Sequence, residues 1–240
     1  MSGGFVHLSR RYVAGVLIAS VSASLTFGAS EDWQNALAKM PLNGKVLELN
    51  RTNCVSMMLG SFQANDCVKA LIFMPGATDE FYMFRRAKAL LIQDRPSLLD
   101  AVEALTNQTL IRVSFRTPLL LLHTDEDPLE PVIRLEDETT AKKLKQSLFP
   151  RHVIYNDKDW DYIQPILKKN FRADVRPWRR SYDSWHFYRH SFAAWNLTGW
   201  EALRAVALAG KTSFAVQKRR LVFEGDERVR ATPKIEAFPR

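Results

Sequence analysis

The sequence has few of the features that define a specific chemistry. It contains only two cysteines, Cys54 and Cys67, in 240 residues, and no histidine lies near either of them in the chain. This pair alone does not supply the ligands of a structural zinc site. The chain also lacks the phosphate-binding and dinucleotide-binding glycine motifs and the Gly-x-Ser-x-Gly sequence of many hydrolases. The enzyme families that those motifs define are therefore excluded.

Long apolar runs are equally scarce, and the first one lies at the N-terminus. After the basic pair Arg10 and Arg11, residues 12–25 are uncharged and apolar or small. This order predicts a secretory signal peptide over residues 1–29, with a single anchor helix as the alternative. No later stretch approaches the roughly 20 apolar residues that cross a bilayer. The sequence therefore predicts a periplasmic or secreted protein with no integral membrane span after signal removal.

Charge of either sign is unevenly distributed along the chain. Residues 31–140 carry 11 basic and 16 acidic residues, net −5, whereas residues 141–240 carry 21 basic and 10 acidic residues, net +11. Such an uneven distribution of charge favours head-to-tail self-association or an acidic partner, although a solvated basic face is the simpler interpretation. Export argues against nucleic acid as that partner.

In an exported protein the two cysteines predict a disulfide between Cys54 and Cys67, with two free buried thiols or one reactive thiol as alternatives. The bridge would restrict the unfolded chain and so stabilise the fold by about 3 kcal/mol. Short apolar runs around it predict strands at residues 45–49, 55–59 and 68–73. Residues 30–86 are therefore predicted to form a β extension.

Two later stretches repeat one pattern. In each, a capping box (Ser97 with Asp100, then Thr198 with Glu201) opens an amphipathic helix, and a β-hairpin pattern follows. The inward face predicted for the second helix is Trp200, Leu203, Val206 and Ala207. The predicted fold is α+β. Its parts are a signal peptide (1–29), a β extension with the cysteine pair (30–86), a first βαββ unit (87–140), an α/β connector (141–183), a second βαββ unit (184–227) and a mobile tail (228–240).

The repeated residues form a recognisable pattern. They are Leu197–Leu203, Gly210, Phe214, Val216 and Leu221–Phe223 in the second unit, and Ser97–Val102, Leu105, Val113, Phe115 and Leu120–Leu122 in the first. This pattern resembles the short N-terminal modules of secretins and TonB-dependent receptors and the C-terminal module of FecR-type regulators. The first unit departs from it, because Gln108 and Thr109 stand where a glycine is usual. The resemblance implies protein–protein interaction or ring assembly through sheet edges and helix faces, not catalysis.

An arginine-rich and aromatic segment, residues 171–195, is the candidate binding surface. Aromatic and arginine side chains are enriched in binding hot spots, and they also stack on sugars. The predicted site residues are Trp178, Arg179, Arg180, Tyr182, Trp185, His186, Tyr188, Arg189 and His190. His186 and His190 are weak metal candidates without an obvious third ligand, so no metal or other cofactor is expected. A second core covered by arginines is the alternative.

One further histidine is a candidate for acid–base chemistry. His123 is followed by Asp125, Glu126 and Asp127, but no nucleophile lies near it in sequence. The function predicted is an exported, periplasmic, non-catalytic module of the cell envelope that binds an envelope protein or itself. The alternative is a glycan-binding protein or hydrolase that contacts the cell wall through residues 171–195.

Overall fold

The protein has an α+β fold, as its sequence predicts. The computed structural model describes residues 32–43, 48–50, 52–74, 88–124, 130–131, 133–135, 138–146, 152–158, 160–177, 190–217 and 220–225. The helices are α1 (residues 32–38), α2 (Cys54–Ser61), α3 (Leu98–Gln108), α4 (Glu138–Gln146), α5 (Trp160–Phe171) and α6 (Gly199–Ala209). The strands are β1 (Glu48–Leu49), β2 (Ala70–Phe73), β3 (Ala89–Leu90), β4 (Arg112–Arg116), β5 (Leu119–His123), β6 (Ile133–Leu135), β7 (His152–Lys158), β8 (Asp174–Pro177), β9 (His190–Trp195), β10 (Thr212–Gln217) and β11 (Arg220–Gly225). The predicted signal peptide and C-terminal tail lie outside the described residues.

The larger sheet has five strands in the order β4-β5-β2-β9-β7. Strands β2 and β5 are parallel, and the other neighbours are antiparallel. Along β2, Ala70 and Ile72 face one core, whereas Leu71 and Phe73 face another. Such uninterrupted apolar strands are typical of a sheet that is covered on both faces.

Different elements cover the two faces of this sheet. Helices α1, α2 and α3 pack on one face, where Leu37, Met58 and Leu105 join the same core as Leu71. The opposite face packs against α6, which also contacts β10 of a second sheet. That sheet has four strands in the order β6-β10-β11-β8, and a separate small sheet pairs β1 with β3.

Helix α6 is buried over most of its surface rather than along one face, and only Trp200, Glu201 and Arg204 are partly exposed. The predicted inward residues Leu203, Val206 and Ala207 are indeed buried, whereas Trp200 is only partly buried. Leu208 and Ala205, which lie outside the predicted face, are fully buried as well. The helix lies between the two sheets, and its many alanines let both approach closely. The buried face is therefore wider than predicted, because helix α4 and strand β10 also pack on α6.

Both predicted capping boxes are present. The Ser97 side chain accepts a hydrogen bond from the backbone N–H of Asp100 at 3.2 Å, and the Asp100 carboxylate accepts one from the Ser97 N–H at 2.6 Å. Thr198 and Glu201 make the same reciprocal pair at 3.2 and 2.8 Å. Each box satisfies two of the otherwise unpaired N–H groups at a helix start. The hairpins β4–β5 and β10–β11 also follow their helices as predicted.

The two-unit βαββ arrangement is not confirmed, although the order of strand, helix and hairpin occurs twice. In the first stretch, β3 pairs with β1, away from its own hairpin β4–β5. In the second, β9 belongs to the five-stranded sheet, whereas its hairpin belongs to the four-stranded sheet. Hairpins form by local pairing, but tertiary packing selects the neighbours of an isolated strand.

The N-terminal region is not a β extension. Residues 32–38 are helical, and the strand predicted at residues 55–59 is part of helix α2. Cys54, Met58 and Leu59 are buried at helical spacing, and methionine and leucine favour helices more than β-branched residues do. Of the other predicted strands, residues 70–73 form β2 and residues 48–49 form β1, whereas residues 45–47 lie outside the described part.

The predicted disulfide is absent, and both cysteines are free thiols. Cys54 lies in the first turn of α2, fully buried, with its Sγ 3.9 Å from the Sδ of Met58. Cys67 lies in the loop that leads to β2 and is partly exposed. Burial raises the pKa of the Cys54 thiol to about 12, and burial followed by the charge of Asp32 raises that of Cys67.

The thiols are expected to differ in reactivity with iodoacetamide at pH 8. Only Cys67 should be alkylated in the folded chain, because reaction requires an accessible thiolate and Cys54 has neither property. Mass spectrometry should then show one adduct per native chain and two after denaturation in guanidinium chloride. A chain that gains no adduct until it is reduced would instead contain the disulfide.

Candidate functional site

Most of the predicted site residues lie outside the described part of the chain. Eight of its nine site residues, namely Trp178, Arg179, Arg180, Tyr182, Trp185, His186, Tyr188 and Arg189, lie outside the described residues. The strands on either side of this segment are described. It connects β8, at an edge of the four-stranded sheet, to β9 in the five-stranded sheet.

The ninth residue, His190, is buried and does not belong to an exposed binding surface. It begins β9, and its imidazole packs against Gly210 just beyond the C-terminal end of α6. Within the described ranges, no group of three or more histidine, cysteine, aspartate or glutamate side chains is arranged to hold a metal ion. His190 is therefore enclosed within the described part of the chain, and its role in partner binding stays a prediction.

The edge of the five-stranded sheet beside β9 is more exposed. Strand β7 pairs with β9 on one side and is the last described strand of the sheet. Ile154 on β7 and Trp195 on β9 are each 42% exposed. Trp195 stands opposite His152 in the register, and the centroids of their rings are 5.0 Å apart. We call these three residues the β7 patch. It combines a strand edge that no other described strand covers with apolar and aromatic surface.

The opposite edge of the same sheet carries polar side chains. In β4, Ser114 and Arg116 alternate with Val113 and Phe115, which pack against the core of α1, α2 and α3. Ser114 and Arg116 therefore face the α6 side of the sheet. The Oγ of Ser114 lies 2.7 Å from the Nε2 of His123, at the end of β5.

The pair of Ser114 and His123 resembles the minimal arrangement of a nucleophile and a base. His123 is buried, however, with 1% of its surface exposed. A general base must reach the proton that it abstracts in a bound substrate. Because the imidazole is enclosed, we assign the pair a structural role: the hydroxyl satisfies a ring nitrogen inside the sheet.

A second polar cluster lies on this side of the molecule. Arg204 of α6 donates two hydrogen bonds to the carboxylate of Glu130, from Nε at 3.2 Å and from a terminal nitrogen at 2.6 Å. Arg116, at the end of β4, pairs with the same carboxylate at 2.9 Å. We call Arg116, Glu130 and Arg204 the arginine clamp. It joins the edge of the five-stranded sheet to the helix between the sheets.

The two arginines determine the charge state of Glu130. Partial burial raises the pKa of this carboxyl, but the hydrogen bond and charge of Arg204, followed by those of Arg116, outweigh that effect and lower it below its ordinary value. A carboxyl whose pKa is lower in the folded state than in the unfolded state stabilises the fold at pH values above its unfolded-state pKa. That contribution is lost as the pH falls through the folded-state pKa. The Glu130 carboxylate is therefore ionised at neutral pH.

Sequence reasoning missed every member of the clamp. Arg204 and Glu130 are 74 residues apart, so no local pattern joins them. Arg116 belongs to a polar alternation that is equally typical of the solvent side of a strand.

Comparison with models of protein families, with curated proteins and with solved structures gave no match. In the part of the chain that is described, no helix is both long and apolar enough to cross a bilayer.

Proposed function

We propose that this is an exported protein of the cell envelope, periplasmic where there are two membranes, that binds a protein partner rather than catalysing a reaction. The β7 patch is the observation that supports partner binding most directly. The order of residues at the N-terminus supports export. The resemblance to secretin, TonB-dependent receptor and FecR modules points to the same class of function, because those modules work through sheet edges.

An exposed strand edge with apolar side chains is a liability for a protein that works alone. Such edges pair with other chains, and proteins usually protect them with charges or prolines. β7 has neither a proline nor a charge between His152 and Tyr155, the stretch that pairs regularly with β9. Adding a partner strand there would satisfy its outer backbone groups and cover Ile154.

The irregular pairing of β7 limits the length of such a contact. Its register with β9 shifts between Tyr155 and Lys158. A bulge bends a strand and ends regular pairing, so an added strand would align with about four residues of β7. Trp195 and His152 lie at the start of that stretch and offer an aromatic anchor, the kind of side chain that dominates binding energy at interfaces.

Site-specific photo-crosslinking in the source organism tests this proposal. A benzoyl-phenylalanine at position 154 of the full-length chain is expected to give an adduct with an envelope protein or a second copy. The same residue at position 92 is the control, because Ile92 is 91% exposed but follows β3, which belongs to the separate two-stranded sheet. Adding Trp195→Lys should reduce the adduct at position 154 about tenfold, equivalent to 1.4 kcal/mol of binding energy.

Either of two outcomes would contradict partner binding at β7. One is the absence of an adduct at position 154, and the other is equal yields at positions 154 and 92. A crosslinked glycan instead of a protein would favour the second candidate function, an envelope glycan-binding protein. The exposed ring of Trp195 is the specific observation for that candidate, since aromatic faces stack on sugars.

A further inference from the structure

Two groups of large apolar side chains are exposed in the described part of the chain. Ile154 and Trp195 belong to the β7 patch. Leu90, Ile92 and Leu110 are exposed further still, at 58%, 91% and 72%. We call these three residues the aliphatic patch. Single exposed aliphatic side chains are ordinary, whereas a group of them marks a surface that contacts another apolar body.

A pair of hydrogen bonds holds the aliphatic patch together. The side-chain amide of Gln108, the last residue of α3, accepts a hydrogen bond from the backbone N–H of Leu90 at 2.9 Å. The same amide donates one to the carbonyl oxygen of Leu90 at 3.0 Å. Leu110 follows Gln108 by two residues, and Ile92 follows Leu90 by two, each a backbone span of at most about 7 Å. The end of α3 and strand β3 therefore present their aliphatic side chains close to each other.

The core fixes the outward direction of two of these side chains. Ala89 and Leu91 are buried in the core that α1, α2 and α3 share with the five-stranded sheet. Leu90 and Ile92 alternate with them and therefore face away from that core. Neither side chain can turn inward without displacing a buried neighbour, so their exposure is a property of the fold.

The size of the aliphatic patch favours a bilayer over a protein partner. At these exposures the three side chains offer roughly 200 Å² of apolar surface, whereas a stable protein interface covers about 800 Å² on each partner. The apolar surface also ends at charged residues, because Lys88 pairs with Glu48 at 3.9 Å and the exposed Asp94 and Arg95 follow Ile92. A bilayer accepts a small apolar surface of this kind, since charged neighbours stay among the headgroups while the aliphatic side chains enter.

We infer that the aliphatic patch inserts into the headgroup region of a phospholipid bilayer and holds the protein reversibly on that surface. Contact through three side chains is weak, because the strength of interfacial binding scales with the apolar area that is buried. The inference does not depend on the proposed function at β7. Strand β3 belongs to the separate two-stranded sheet, whereas β7 belongs to the five-stranded sheet, so each contact can be tested and can fail alone.

Site-specific fluorescence quenching on the purified full-length chain tests this inference. Cys67→Ser removes the partly exposed thiol and Cys54 is fully buried, so a cysteine introduced by Ile92→Cys or Leu110→Cys takes up the NBD label alone. The vesicles contain phosphatidylethanolamine, phosphatidylglycerol and a doxyl-labelled phospholipid. Both labels should be quenched about twofold or more, because insertion brings them to the boundary between headgroups and acyl chains.

Labels at two other exposed positions are the matched controls. Ile154→Cys in the β7 patch and Tyr162→Cys on α5 should give labels that are not quenched. These controls also account for the apolar residues 12–25, because vesicle binding by that segment would bring every variant to the surface without placing positions 92 and 110 in the bilayer. Absence of quenching at positions 92 and 110, or equal quenching at all four positions, would overturn the inference.

Two charge variants test whether the aliphatic side chain itself is required. In the chain labelled at position 110, Ile92→Asp should reduce the quenching about fivefold, because a carboxylate resists transfer out of water. Gln93→Asp adds the same charge at the next exposed position and should change the quenching by less than about twofold. Equal losses in the two variants would show that repulsion from the vesicle surface determines the contact, and would also overturn the inference.

Discussion

Replacing Leu208 by alanine is expected to lower the free energy of unfolding by about 2–5 kcal/mol, the range for deleting a buried leucine side chain. Leu208 lies on the side of α6 that the sequence pattern assigns to solvent, yet it is 1% exposed. It belongs to the core that α6 shares with both sheets. Removing the Leu208 side chain leaves a cavity, because the elements packed around it cannot close together far enough to fill the space.

Equilibrium unfolding in guanidinium chloride measures this effect, and Leu110→Ala is the matched control. Leu110 is 72% exposed, two residues after α3, so its loss should change stability by no more than about 0.5 kcal/mol. If the two variants were equally stable, Leu208 would not be packed in the core that α6 shares with both sheets. A changed slope of the transition would indicate an altered unfolded state instead.

The parts of the fold that the sequence predicted are those that local interactions determine. The capping boxes at Ser97 and Thr198 depend on residues three positions apart. The hairpins depend on strands separated by short connections. The strand at residues 70–73 is bounded by turn residues and apolar at every position. In each case the energetic determinants lie within about ten residues of the element.

Other parts were decided by contacts that the sequence does not show. The run at residues 55–59 is equally compatible with a strand or a helix, and packing of Met58 and Leu59 under the sheet selects the helix. The repeated pattern does not specify which sheet receives each hairpin. More of α6 is buried than the sequence pattern predicts because helix α4 and strand β10 also pack on it, and alanine-rich residues are compatible with either environment.

The candidate sites also depend on contacts between distant parts of the chain, which the sequence does not show. The clamp requires Arg116, Glu130 and Arg204 to meet from a strand, a loop and a helix, so only the tertiary structure reveals it. The β7 patch was missed because Trp195 was grouped with an aromatic segment, and Ile154 reads as an ordinary strand residue. Arginine and aromatic residues precede His190 and favour a surface position, whereas its imidazole is buried against the end of α6.

Gly210→Ala is expected to destabilise the protein by about 1–3 kcal/mol, the usual cost of forcing extra volume into a packed core. A Cβ at this position would lie 2.5 Å from the Nε2 of His190 and 3.2 Å from its Cε1. The backbone φ of Gly210 is −98°, which alanine adopts without strain. The cost therefore comes from the imidazole, which is buried and has little room to move.

A double-mutant cycle with His190→Ala isolates this contact, because removing the ring should make Gly210→Ala cheaper by at least about 1 kcal/mol. Gly60→Ala is the control: Gly60 lies in α2 with nothing within 4 Å of the new Cβ, so the change should be neutral or stabilising by up to about 1 kcal/mol. Equal costs of Gly210→Ala with and without the imidazole would show that the ring does not pack against α6. His190 would then be mobile enough to contribute to the binding surface that the sequence predicts. Strong coupling between the two positions would instead mean that the imidazole is fixed, and the partner-binding residues would lie on the exposed part of β9 and along β7.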